Sequence, residues 1–207
     1  MLHELGRDAE IVAASRSAIA SRAALVPTPE LDLEITANVA LYRAGAMTRE
    51  EFVSARGAWI EVAAHRPWVS GPSGFGPIRR WIASYAEAAN TAEDARDAIA
   101  ALPQYLPLPS DRVRSVEDDE ALGRTYLLAG RTADAIPFLR RVANSCRAAD
   151  YPFHHAWANL ELGMALESTD LRGACDAYRV VLDRWGAVGE SRSAALARYR
   201  RAALRCK

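Results

Sequence analysis

The sequence predicts an all-α fold built of helical hairpins stacked side by side, and three observations predict it. Residues 121–182 carry one helix-pair pattern twice: Ala121-Leu122-Gly123, Tyr126, Gly130, Ala135 and Leu139, then Glu161-Leu162-Gly163, Leu166, Asp170, Ala174 and Tyr178. A small residue at a fixed point of each helix lets a neighbour approach closely, and large residues fill the remaining space. Turn and cap residues break the rest of the chain at intervals of about 12–20 residues, the length of an ordinary globular helix. No run alternates well enough to make a strand: Arg112-Val113-Arg114 is too short and too charged.

The elements follow in order. Arg7 to Leu25 is alanine-rich, with Ile11, Val12, Ile19 and Leu25 spaced for one helix face, and it stops at Val26-Pro27-Thr28-Pro29. Leu31 to Ala44 forms the next helix, closed by Gly45 in a left-handed cap. Thr48 and Glu51 have the spacing of a capping box and open a helix to Ala64, which makes a hairpin with its predecessor. The interruption from Arg66 to Pro77 is too rich in proline and glycine to be helical. Ile78 to Asn90 resumes as a helix with Trp81, Ile82 and Tyr85 on one side. Thr91, with Asp94 three residues on, caps a partner running to Leu102. Pro103 to Pro109 reads as an extended, proline-stiffened connection. The double repeat follows, and a helix from Glu190 to Cys206 comes last. About ten helices, or five hairpins, result. They group as N-terminal helices over 1–66, a Trp/Pro-rich linker and hairpin over 67–110, and repeats with a capping helix over 111–207, and are expected to form one continuous helical domain over 1–207.

Composition narrows the function classes. Acidic and basic residues balance at 26 each, so no global field favours nucleic acid or an anionic membrane. No stretch approaches the ~20 apolar residues of a membrane span, and Met1 to Arg7 lacks the apolar run of a signal peptide. The cytoplasm is the expected compartment. Cys146, Cys175 and Cys206 are expected to be reduced and buried, with Cys146 and Cys175 the alternative redox pair. His154-His155 lies near Asp150, but adjacent helical residues point apart and no ligand pair has the right spacing, so no metal site is expected. Glu117-Asp118-Asp119-Glu120 reads as a solvent-facing acidic run at a helix start, favoured there by the helix dipole.

Residues 121–147 resemble a tetratricopeptide repeat: Leu122, Gly123, Tyr126, Ala135 and Leu139 fall on that repeat's offsets in order. The second copy is one residue short between Gly163 and Ala174, has Leu166 for the tyrosine, and sits 40 residues on, where the repeat period is 34. A wider series runs from Trp81, Tyr85-Ala86, Thr91 and Ala101-Leu102-Pro103 through Pro107-Leu108-Pro109 and Leu127-Leu128-Ala129-Gly130-Arg131. It continues through Ser145-Cys146, Leu162-Gly163, Gly173-Ala174-Cys175, Ala177-Tyr178, Arg184-Trp185-Gly186 and Cys206. This series is similar to the C-terminal helical region of large myxobacterial serine/threonine protein kinases, over roughly residues 75–206. It departs after Gly186, where Ala187-Val188-Gly189-Glu190 stands instead of a lysine–proline–arginine–serine stretch. The resemblance implies a protein-recognition region beside a kinase domain. The kinase motifs themselves are missing: Lys207 is the only lysine, His65-Arg66 is followed by Pro67, and no Asp-Phe-Gly occurs.

The expectation is therefore a non-catalytic module of bacterial signalling that binds a protein or peptide, with no cofactor. First helices of the hairpins supply the candidate groove residues Asn38, Arg43, Arg124, Tyr126, Asn159 and Glu161, and Trp68 and Phe75 are candidate exposed aromatics. The alternative is a regulatory protein whose C-terminal helix, with Arg192, Arg198, Arg200, Arg201, Arg205 and Lys207, binds nucleic acid or an acidic partner.

Overall fold

The computed structural model describes residues 2–21, 30–64, 76–108 and 114–207, and every regular element in them is helical. Packing divides the chain into two compact units, one over residues 7–113 and the other over residues 114–207 together with His3–Gly6.

The 7–113 unit contains α1 (Asp8–Ser21), α2 (Glu30–Arg43), α3 (Arg49–Ala64), α4 (Gly76–Trp81) and α5 (Ala92–Ala101). The expected caps are present. The Thr48 amide donates to Glu51 Oε2 at 2.8 Å and the Glu51 amide to Thr48 Oγ1 at 3.2 Å. Thr91 and Asp94 form the same reciprocal box, and Gly45 is left-handed at φ +70°. The core gathers Ile35, Val39, Phe52, Trp59, Ala63 and Ala88, with Tyr42 stacked on Phe52 at 4.8 Å. Trp81 is fully buried and its indole N–H donates to the Ala98 carbonyl at 2.7 Å, so burial of the ring leaves no orphan donor. Tyr42 ties α2 to α5 through Asp94, at 2.9 and 3.0 Å.

Two expectations fail in this unit. The single helix over 78–90 is instead α4 followed by a π-helical turn over Ile82–Ala86, where the Glu87 amide bonds to the Ile82 carbonyl. The buried Ser84 hydroxyl donates to the Arg80 carbonyl at 2.5 Å and so competes for an acceptor of the regular ladder. The stretch after Leu102 opens as a 3-10 turn over Leu102–Tyr105 rather than as an extended segment. Pro103 is tolerated there because its missing N–H would be unpaired in a first turn anyway. The turn buries Tyr105, edge-on to Tyr85.

The 114–207 unit contains α6 (Val116–Leu128), α7 (Thr132–Ala143), α8 (Pro152–Leu166), α9 (Leu171–Trp185) and α10 (Arg192–Ala203). The hairpins α6–α7 and α8–α9 pack on each other, and α10 packs against α8 and α9. Ala135, Leu139, Val142, Leu162, Ala165, Ala174, Tyr178 and Val181 form the core. The two repeat glycines mark close approaches within the hairpins. A Cβ added to Gly123 would lie 2.6 Å from Leu139, and one added to Gly163 would lie 2.4 Å from Tyr178. Each partner is the large residue that ends its own copy of the pattern.

Candidate functional site

The start of α6 organises the polar face of the 114–207 unit. Ser115 is the N-cap: its hydroxyl accepts from the Asp118 amide at 3.1 Å, and its own amide donates to Asp118 Oδ2 at 2.9 Å. The next two carboxylates turn inward. Asp119, with a side chain 4% exposed, accepts from Arg114 Nε at 2.8 Å and from Arg141 Nε and Nη2 at 2.5 and 3.0 Å. Glu120, 5% exposed, lies 3.3 Å from His154 Nδ1 and 3.9 Å from Arg124 Nε. The acidic run is therefore not the solvent-facing stretch the sequence suggested. Successive residues point about 100° apart on a helix, and α6 is wedged between two neighbours. One carboxylate thus meets α7 and the next meets α8.

Aromatic rings complete both contacts. The Arg114 and Arg141 guanidinium groups sit 5.5 and 5.6 Å from the Phe138 ring centre, and Phe138 stacks on Tyr126 at 5.7 Å. His154 is held edge-on between Tyr151 and Trp157, at 6.4 and 5.2 Å. Its neighbour His155 is buried, with Nε2 3.1 Å from the Ala143 carbonyl. Burial, reinforced by Arg184, holds the His155 pKa below its ordinary value despite the hydrogen bond to the Ala143 carbonyl. Among the described residues no group of three or more His, Cys, Asp and Glu side chains is placed to hold a metal ion.

The predicted groove residues do not share one environment. Arg124 and Glu161 lie half-buried on α6 and α8. Asn159 is buried, its amide donating to the His155 carbonyl at 2.8 Å, because its position on α8 turns into the core. Tyr126 faces α7, against Phe138 and under Arg131. Asn38 is buried in α2 of the other unit, and Arg43 is half-buried in that helix's last turn. Buried Asn38 and Asn159 present no surface to a partner. Trp68 and Phe75 lie outside the described residues. The face that remains comprises Glu117 and Arg124 on α6, over the buried Glu120, beside His154, Trp157 and Glu161 on α8. In each helix these sit three and seven residues from the first, one stripe per helix. The Glu120–His154 contact joins the two stripes.

The cysteines differ from expectation. Cys175 and Cys206 form a disulfide that ties α9 to the segment after α10, and Cys146 is an exposed free thiol. The sequence offers no local signal for this, since the 31-residue separation becomes a contact only when α10 folds back on α9. The arginines of α10 are also largely engaged within the fold. Arg200 pairs with Glu167 at 3.2 Å, Arg201 donates to the Cys175 and Lys207 carbonyls, and Arg198 donates to the Gly186 carbonyl.

No protein-family model, curated protein or solved structure matches this chain.

Proposed function

We propose that this chain is a non-catalytic protein-interaction module that holds a segment of a partner protein along the α6–α8 face. The observation that carries this reading is the pair of stripes just described. Carboxylates, a guanidinium, an imidazole and an indole line up on adjacent helices whose other sides are core. Side chains already half-desolvated and locked by neighbours lose little further freedom when a ligand arrives, which favours recognition. Glu120 has histidine and arginine neighbours in His154 and Arg124, an arrangement suited to hydrogen-bonding recognition. The sequence resemblances extend the proposal to a tetratricopeptide-like superhelix of about five hairpins, related to kinase tails and working in cytoplasmic signalling. Engagement of the α10 arginines within the fold makes the nucleic-acid alternative the weaker one.

The test places a photo-crosslinking residue at Glu161, with a control at Arg172, which is exposed on α9. Native lysate should give a discrete crosslinked partner at Glu161 only, and the charge reversal Arg124→Glu should remove it. The same crosslinks from both positions, or retention in the Arg124→Glu protein, would sink the proposal.

A further inference from the structure

The carboxylate of Glu4 is the most completely held acidic group outside the α6 cluster. The residue is 3% exposed. Its Oε1 accepts from the Ser191 hydroxyl at 2.5 Å and from the Ser193 amide at 2.9 Å, and its Oε2 accepts from the Ser193 hydroxyl at 2.8 Å and from the Trp157 indole N–H at 2.9 Å. The Arg192 amide also donates to the Glu4 carbonyl at 2.9 Å, and the Arg192 guanidinium lies 3.3 Å from His3 Nδ1. Burial opposes ionisation of Glu4, yet the hydrogen bonds from Ser191, Trp157 and Ser193 prevail and hold its pKa below the ordinary value.

The four donors come from α8 and from the first turn of α10, and they saturate both oxygens of one carboxylate. The positive end of the α10 dipole adds to their attraction for an anion. An indole and two serine hydroxyls around a helix end select a planar, two-oxygen group, and nothing in the set demands that it arrive on the same chain. We infer that the Trp157–Ser191–Ser193 cradle is a carboxylate-recognition site which His3–Gly6 fills as a tethered ligand, and that a glutamate-bearing peptide competes for it. Trp157 also belongs to the α8 stripe, where it stands between His154 and Glu161, so the tethered segment holds the indole N–H in the middle of that stripe. Its release would open the indole edge to a partner.

The test uses the full chain, the synthetic peptide MLHELGR that copies residues 1–7, and its glutamine counterpart MLHQLGR. In titration calorimetry Glu4→Ala should bind the glutamate peptide at least ~10-fold more tightly than the wild type does, since the wild type carries its own competitor at high effective concentration. It should prefer the glutamate peptide over the glutamine peptide by a similar factor, and Ser193→Ala added to Glu4→Ala should erase the preference. A folded Glu4→Ala protein that binds neither peptide, or both equally, overturns the inference and leaves Glu4 as a structural clasp. If Glu4→Ala does not fold, hydrogen exchange in the wild type decides. The Gly6 amide, which donates to the His3 carbonyl in the docked segment, should exchange faster with excess MLHELGR than with MLHQLGR, and equal rates overturn the inference.

Discussion

The ring of Tyr178 occupies the space that a side chain at position 163 would need. A Cβ on Gly163 would lie 2.4 Å from Tyr178 Cε1 and 2.7 Å from two further ring atoms. The ring cannot swing aside, because its hydroxyl donates to Glu167 Oε1 at 2.5 Å, and Glu167 is itself paired with Arg200. Gly163→Ala is expected to destabilise the protein by about 1–3 kcal/mol despite the better helix propensity of alanine. Gly123→Ala should cost less, since the Leu139 side chain that it meets can change rotamer. Urea denaturation of the two variants checks the order, and equal midpoints would contradict it.

Asp119 bridges Arg114 and Arg141 from a nearly dry position. Removing the carboxylate strands two guanidinium groups beside Phe138. Asp119→Ala should therefore cost about 3 kcal/mol, the lower end of the range for breaking a buried ion pair, because Arg141 keeps some access to water. An exposed acid such as Glu50 should tolerate alanine within about 0.5 kcal/mol. Denaturant titration of both variants gives the comparison, and similar losses would show that the bridge contributes nothing special.

Stability should fall at high pH through Tyr42. Burial, with the hydrogen bond to Asp94, pushes its phenol up from 10 to about 12. The folded chain thus favours the neutral phenol. The stabilisation is complete below pH 10 and is lost as pH rises from there toward 12. Tyr178 shifts the same way, through burial and Glu167, and steepens the loss. Tyr42→Phe should flatten part of the decline when thermal unfolding is followed from about pH 8 to about pH 11. An unchanged slope in that variant would remove Tyr42 as its source.

The disulfide between Cys175 and Cys206 should be visible chemically. Alkylation of the unreduced, denatured protein should label only Cys146, and prior reduction should raise the count to all three cysteines. Closing a loop across 31 residues should stabilise the fold by about 3–4 kcal/mol in the chain-entropy picture. Reductant should therefore lower the thermal midpoint of the wild type and leave Cys206→Ser unaffected. A wild type indifferent to reductant would show that α10 stays docked without the bond.

What the sequence made legible was local or periodic. Thr48–Glu51 and Thr91–Asp94 announce their helices because a capping box is complete within four residues. Gly123 and Gly163 stand out because each is followed by a bulky residue at a nearly repeated offset, Leu139 after 16 residues and Tyr178 after 15. The acidic run at 117–120 does mark a helix start, but the expectation that it faces solvent fails for the opposite reason. Its charges pointed to water, and only the packing of α7 and α8 around α6 supplies Arg141 and His154 as partners. Asn159 failed as a groove residue because repeat offsets identify a helix without fixing which side of it is core. The Ser84 π-turn and the Cys175–Cys206 bond lie further still from any local pattern. Glu4 carried no signal, since its donors stand 153 to 189 residues away.

That separation bears on where the chain can be cut. The unit over residues 114–207 is not self-sufficient as a sequence segment, because one of its helix ends is finished by a residue from His3–Gly6. A fragment expressed from residue 114 onward would look complete by its helices. It would nonetheless leave an indole N–H and two serine hydroxyls without the acceptor they hold in the whole protein. Domain dissection of this molecule should therefore carry Glu4 along, either as a fused linker or as an added peptide.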